Sequence, residues 1–249
     1  MDFSIIVPTY QERQFLADCL QSLLHQEYRR EDFEVIVSDA RSTDGTIDIA
    51  HQFADRTLVD DRKGIAYGRN VGARAAKGDV LIFVDADAQL APDFLAQCRN
   101  VFSDSAIAGM TGIACASDGG ILQRFVYHMT YLLVRIFSWF GVSLFPGICV
   151  AYRRKRFLEI GGFREDFGIV EDLDLSNRIA RQGKCVVNKE ARAFVSTRRL
   201  AQHLFSTVMF HIYCDVRYLV TGKAPRWYPK SDEIRSWHDL WHQAYQKTK

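Results

Sequence analysis

The amino-acid sequence predicts an α/β fold: a mainly parallel sheet flanked by helices, with helical C-terminal additions. Short apolar runs alternate with stretches whose apolar residues recur at helical spacing, as strands joined by crossover helices do. The runs end in polar residues, Pro8-Thr9, Ser38-Asp39 and Asp85-Ala86-Asp87. Open α/β sheets bind ligands outside those carboxyl ends. Past residue 120 the alternation gives way to long amphipathic stripes, where the helical additions are expected.

Residues 3–7 form an apolar strand stopped by Pro8, and Phe15, Leu16, Cys19, Leu20, Leu23 and Leu24 mark the helix after it. Residues 33–37 give a second strand. Ser42-Thr43-Asp44-Gly45-Thr46 supplies a turn and helix start, because such side chains satisfy the free backbone N–H groups of a first turn. A short strand at 58–59, a helix over 65–76 and a strand over 80–84 follow; the last is apolar at every position and so buried on both faces. Further on, Phe125, Met129, Leu132, Leu133, Ile136, Phe137 and Phe140 share one helical stripe, and Arg124, His128, Tyr131, Arg135 and Ser138 another. The uncharged stretch 136–152 is broken by Gly141, Pro146 and Gly147 and is too short for a membrane span. Two readings stay open: a helix packed on the core, or one lying in a membrane interface with its basic residues toward headgroups. A last helix carries Phe205, Val208, Met209, Ile212, Val216 and Leu219. After a linker at 221–225, Ile234, Trp237, Trp241 and Tyr245 share a face in the tail. His238 and His242 lack the intervening Glu of an H-E-x-x-H motif and are read as surface histidines.

Among the 249 residues, 32 Lys and Arg stand against 30 Asp and Glu, and a net charge of +2 gives no global field for nucleic acid. Arg153-Arg154-Lys155-Arg156 and Arg198-Arg199 are local basic clusters. Six cysteines without a C-x-x-C pair read as buried free thiols of a reducing compartment. The first strand begins at once, with no basic n-region or cleavage site, so no signal peptide is expected and the cytoplasm is the default location.

Asp85 and Asp87 crowd the end of a buried strand and repel each other unless a cation or donor groups compensate. Hard divalent ions such as Mg²⁺ take carboxylate oxygens and bridge them to phosphates. Alone, such a pair reads as an Asp-rich turn. Other segments change that reading: Val7-Pro8-Thr9-Tyr10-Gln11-Glu12; 38–46; Gly68-Arg69-Asn70-Val71-Gly72 with 76–79; and Gly161-Gly162-Phe163 followed by Glu171-Asp172-Leu173-Asp174-Leu175. In this order and spacing they resemble the family 2 glycosyltransferases, over roughly residues 3 to 200. The tail is not explained by that pattern.

The resemblance implies a GT-A fold and an inverting, metal-dependent transfer, with Mg or Mn as cofactor. The donor is a UDP- or GDP-sugar, and the acceptor a hydroxyl or a lipid phosphate. It implies a nucleotide-sugar-binding half at 1–115, an acceptor-binding and catalytic half at 116–200 and a C-terminal helical extension at 201–249. Pro8, Thr9, Tyr10, Glu12 and Asp39 match the positions that hold base and ribose; a carboxylate such as Asp39 suits a ring N–H of uracil or guanine. Ala40-Arg41 departs from the Asp-Gly or Gly-Gly of relatives and leaves the base preference open. Arg69 and Asn70 match a segment near the nucleotide, with orienting a helix as the competing role. Asp85, Ala86 and Asp87 match the metal and ribose-diphosphate positions, Asp87 being the direct ligand. Asp172 matches the general base that takes the acceptor proton, with Glu171 beside it. Arg198 and Arg199 suit a diphosphate or acceptor phosphate through paired hydrogen bonds, against plain surface charge. A sugar nucleotidyltransferase would carry a Gly-rich basic loop after strand one. A non-catalytic nucleotide-sugar or membrane-surface binding module would have lost the acids. A lipid-linked acceptor would place the protein, through its amphipathic segment, at the cytoplasmic face of a membrane.

Overall fold

The protein is described here by a computed structural model, over residues 1–198 and 204–225. Arg199 and the tail with its two histidines lie outside the described residues. In chain order the elements are β1 (Phe3–Thr9), α1 (Arg13–Leu24), a 3-10 turn (Arg30–Asp32), β2 (Phe33–Asp39), α2 (Thr46–Phe53), β3 (Arg56–Val59), α3 (Ile65–Ala75), β4 (Val80–Val84) and β5 (Ala88–Leu90). Then come α4 (Phe94–Phe102), β6 (Ile107–Ala116), α5 (Ile121–Trp139), β7 (Cys149–Arg153), α6 (Arg154–Glu159), α7 (Glu171–Ala180), β8 (Lys184–Val195) and α8 (Leu204–Thr221).

These strands form one sheet in the order β3-β2-β1-β4-β7-β6-β8-β5. The first four are parallel, as the alternating sequence predicts, with Thr9 of β1 level with Asp39 of β2. Beyond β4 the sheet is mixed: β7 runs antiparallel to both β4 and β6, β8 parallel to β6, and β5 antiparallel to β8. The sequence reading missed β5, β6 and β7. Two glycines, Gly109 and Gly112, interrupt the apolar run of β6, and β7 lies within the uncharged stretch beside α5.

Apolar layers cover both faces. On β4, Val80, Ile82 and Val84 join the core under α1 and α4, while Leu81 and Phe83 join the other, with Phe157, Phe163 and Leu175. Helix α3 comes close to β1 because Gly72 lies against Ile6, where a Cβ would collide with that side chain. All six cysteines are free thiols, four of them buried.

Helix α5 divides differently from its sequence stripes. Val134 faces the core and Tyr127 packs beside it, while Phe125, Met129, Leu133, Ile136 and Phe140 of the apolar stripe stand in the open. Phe125 is 56% and Phe140 78% exposed. Among the described residues no helix is long and apolar enough to cross a membrane.

Candidate active site

The carboxyl ends of β1, β2 and β4 carry the predicted residues into one place. Thr9 Oγ1 donates to Asp39 Oδ2 at 2.7 Å, and Ser42 donates to the same carboxylate through Oγ at 2.7 Å and its backbone N–H at 2.6 Å. Asp39 is 2% exposed, so its carboxylate fastens the two loops to each other. Gln11 and Arg41 hold left-handed backbone (φ 58° and 53°), a costly conformation for side-chain-bearing residues. Cross-loop bonds fix the first: Gln11 N–H donates to Ser42 Oγ and Glu12 N–H to Thr46 Oγ1, both at 2.9 Å. Arg41 pairs with Asp61. Pro8 is half-buried and Tyr10 exposed, its hydroxyl accepting from Lys63 Nζ at 2.7 Å.

Asp85-Ala86-Asp87 forms the turn from β4 into β5, with Ala88 N–H closing onto the Asp85 carbonyl at 3.0 Å. Ala86 packs into the core, which splays the two acids to one side of it. Each acid meets an arginine. Arg198 donates to Asp87 Oδ2 through Nε at 3.1 Å and to Glu12 through Nη2 at 2.7 Å, with its guanidinium 4.1 Å from the Phe15 ring centroid. That arginine joins the loop after β1, the turn after β4 and the end of β8. Beside Asp87 a cavity of about 170 Å³ is lined by Asp18, Asp118 and Ser196. Sequence reasoning singled out neither Asp18 nor Asp118; Asp118 accepts from Thr197 N–H at 2.6 Å and shapes the end of β8.

Arg69 lies beneath the site. Its side chain is 2% exposed and donates to Asp85 Oδ1, Glu171 Oε1 and the Gly147 carbonyl, each at 2.9 Å. Gly147 has no Cβ to spare: one would sit 2.6 Å from Arg69 Nη2. Its N–H in turn donates to Asp172 Oδ2 at 2.7 Å, a backbone contact no side-chain pattern signals. Burial, and then the neighbouring Asp172 charge, raises the Glu171 carboxyl above the usual range. Asn70 fastens the Gly161-Gly162-Phe163 segment, accepting from Phe163 N–H and donating to its carbonyl, both at 2.9 Å. Arg178 holds the same segment through the Gly162 carbonyl at 2.7 Å.

Helix α7 begins with an unusual residue. Val170 is left-handed (φ 63°), an outlier for a β-branched side chain, and is buried against Phe210 and Cys214 of α8. Such strain persists where packing over-determines it and concentrates at functional sites. Here it sets Glu171 and Asp172 in the first helical turn, where the helix dipole favours negative charge. Among the described residues, Arg198 links Glu12 to Asp87, and Arg69 links Asp85 to Glu171.

A family model described as glycosyl transferase family 2 matches residues 4–161. The chain belongs to this family. An uncharacterized glycosyltransferase, YfnE, of Bacillus subtilis is 45% identical over 102 residues, covering 39% of this chain and 26% of that protein. A dolichyl N-acetyl-alpha-D-glucosaminyl phosphate 3-beta-D-2,3-diacetamido-2,3-dideoxy-beta-D-glucuronosyltransferase of Methanococcus voltae is 30% identical over 161 residues, 62% of this chain and 49% of that one. The chain thus spans less than half the length of these relatives. Among solved structures, the mannosyltransferase PcManGT of Pyrobaculum calidifontis in complex with GDP-Man and Mn²⁺ superposes with a TM-score of 0.72 at 24% identity, covering 98% of this chain and 69% of that one. Residues 1–349 of TarS from S. aureus with UDP-GlcNAc give 0.65 at 20% identity, covering 99% and 73%. The fold is therefore the GT-A type that the sequence motifs imply.

Proposed function

We propose that this chain is an inverting glycosyltransferase moving a sugar from a nucleoside-diphosphate sugar to an acceptor hydroxyl or a lipid phosphate. One observation carries the reading: the buried Arg69 guanidinium ties Asp85, at the end of β4, to Glu171, at the start of α7. An acid suited to a divalent ion and the acid preceding Asp172 are thereby held on one guanidinium. Asp172 is the general base. The Gly147 N–H holds one of its oxygens, and the carboxylate takes the acceptor proton as the acceptor oxygen attacks the anomeric carbon from the face opposite the diphosphate, inverting it.

Pro8, Thr9, Tyr10, Glu12 and Asp39 frame the nucleotide in this reading. Asp39 fixes the walls, and the Tyr10 ring stands beside them with Lys63 Nζ 4.3 Å from its centroid. Arg198, which donates to Asp87 and Glu12, is proposed to meet the diphosphate, and Arg199 is proposed for the same role. Residues 1–115 serve the donor, 116–200 the acceptor, and 201–249 are a C-terminal extension whose helix α8 packs on the segment before and within α7.

Asp87 and Asp85 would hold Mg or Mn. The donor chemistry fits, since both are hard oxygen ligands at a strand end. No group of three metal-ligating side chains occurs among the described residues, so donor phosphates would complete the coordination. When bound, the ion supplies Lewis-acid neutralisation of the charge on the departing diphosphate. The neighbours with GDP-Man and Mn²⁺ and with UDP-GlcNAc support a nucleotide-sugar donor and leave UDP and GDP both in play. The open apolar stripe of α5, with Arg124 and Arg135 on the same helix, supports contact with a membrane surface on the cytoplasmic side and a lipid-linked acceptor.

The test is release of nucleoside diphosphate from UDP-glucose, UDP-N-acetylglucosamine and GDP-mannose, with and without Mn²⁺. Ion-dependent release from one donor is expected. Binding without turnover would favour a binding module, and conversion of a donor with added pyrophosphate into nucleoside triphosphate and sugar 1-phosphate a nucleotidyltransferase.

A further inference from the structure

The backbone that delivers Arg198 is pinned where β8 ends. Ser196 N–H donates to the Asp87 carbonyl at 3.3 Å, and Ser196 Oγ and Thr197 N–H donate to the Asp118 carboxylate at 3.1 and 2.6 Å. Arg198 N–H donates back to Ser196 Oγ at 3.3 Å. From that fixed base the guanidinium reaches two acids at once. Its Nε and Nη2 lie 3.1 and 3.0 Å from the same oxygen, Asp87 Oδ2. Nη2 also meets Glu12 Oε1 and Oε2 at 3.0 and 2.7 Å. The Asp87 side chain is 3% exposed and that of Glu12 15%, whereas Arg198 keeps 33% of its own open.

A buried carboxylate stripped of its counter-charge is strongly unfavourable, so Arg198 compensates Asp87 and Glu12 where it stands. Yet Asp87 is also the acid assigned above to the divalent ion. Two cations on one carboxylate repel each other, and a guanidinium has no lone pair to offer a metal. Phe15, over whose ring the guanidinium sits at 4.1 Å, lines with Asp87 the cavity of about 170 Å³. An ion that reaches Asp87 through this cavity meets Arg198 in place. The guanidinium it displaces keeps Glu12 and needs a new anion in exchange for Asp87. A diphosphate is such an anion, and arginine binds phosphate oxygens by paired hydrogen bonds.

We propose that Arg198 is a counter-cation for Asp87 that gives way to the divalent ion and passes to the donor diphosphate, so that ion and donor bind cooperatively. This rests on the glycosyltransferase reading above and adds a coupling between its two ligands. An ion arriving alone takes Asp87 from the guanidinium and gives it nothing in return. A diphosphate arriving alone finds the guanidinium held by Asp87. Each ligand removes a cost that the other meets, which is a coupling free energy between two binding events. Only the side chain has to swing, because the backbone on either side of Thr197 is tied to Asp118 and Asp87.

Calorimetry on the full chain tests this without turnover. Mn²⁺ alone is titrated into wild type, Arg198→Gln and Arg198→Lys, and UDP and GDP are titrated into each with and without Mn²⁺. Arg198→Gln should bind Mn²⁺ alone about tenfold more tightly than wild type, and the factor by which Mn²⁺ tightens nucleoside diphosphate binding should fall about tenfold with it. An arginine that served the diphosphate alone would weaken nucleotide binding and leave Mn²⁺ alone unchanged. Arg198→Lys keeps the charge but cannot span both carboxylates, so it should shift both readings the same way by less, and it carries the test if the Gln variant fails to fold. Arg13→Gln removes an exposed cation beside Glu12 and should leave Mn²⁺ binding near the wild-type value at physiological salt. Unchanged Mn²⁺ affinity in both Arg198 variants, or an equal gain in Arg13→Gln, overturns the proposal. If Mn²⁺-dependent nucleotide binding is present and ignores Arg198, only the exchange falls. If neither UDP nor GDP binds wild type under any condition, the glycosyltransferase reading falls and takes the exchange with it.

Discussion

The loops after β1, β2 and β4 and the helices α5 and α8 are held by opposite means. The loops are fastened by short polar bonds between distant parts of the chain: Thr9 and Ser42 on Asp39, Arg198 on Glu12 and Asp87, Arg69 on Asp85 and Glu171. Two of their residues sit in left-handed backbone that those loops hold in place. The helices rely on apolar contact, and each leaves an apolar stripe open, Phe125 to Phe140 on α5 and Ile212, Val216 and Leu219 on α8. A network of directional bonds defines positions closely, which suits a nucleotide and its diphosphate. An apolar face is tolerant of what covers it.

The largest effect should come from the polar side. We expect Asp87→Asn to lower turnover about a thousandfold or more, because the amide keeps the shape but loses the charge that holds a cation worth several kcal/mol at the transition state. The melting curve should stay close to wild type, and Mn²⁺-dependent nucleotide binding, read by calorimetry, should vanish. Ion-independent activity in the wild type would refute the metal role.

Next, Asp172→Asn should reduce turnover about 10²–10⁴-fold while calorimetry shows the donor still bound. If donor binding goes too, Asp172 belongs to the nucleotide wall, and the division between the two sides fails there.

Arg69→Met probes the strut that joins them. It leaves Asp85 and Glu171 buried without their cation, a loss of about 3–5 kcal/mol in denaturant unfolding. Arg69→Lys should recover little of this, since a single ammonium cannot reproduce a fork that reaches two carboxylates and a carbonyl. Full stability in Arg69→Met would mean that the two sides stand independently.

The smallest expected change separates the helices from the loops. Phe125→Glu and Ile136→Glu sit on exposed positions, so neither should cost stability beyond about 0.5 kcal/mol. Both should weaken cosedimentation with anionic liposomes, and added salt should weaken it in wild type. Phe137 is half-buried and would confound folding with binding. If wild type ignores liposomes at low salt, the stripe serves another surface.

The sequence by itself determined the parallel strands and the acids at their ends. An apolar run at every position, as in β4, demands burial on both faces, and polar residues that follow such a run must emerge where the sheet ends. The family motifs are local in the chain and therefore legible there. Tertiary structure alone decided the rest. That Arg69 is a buried strut depends on Asp85 and Glu171 arriving from segments far apart in sequence. That Gly147 orients Asp172 depends on a backbone N–H, which every non-proline residue has and no motif marks. The mixed half of the sheet is fixed by β7 inserting between β4 and β6, and strand order comes from pairing rather than composition. Which stripe of α5 faces water was equally hidden, because helical periodicity sorts residues onto faces and only packing assigns a face to the core.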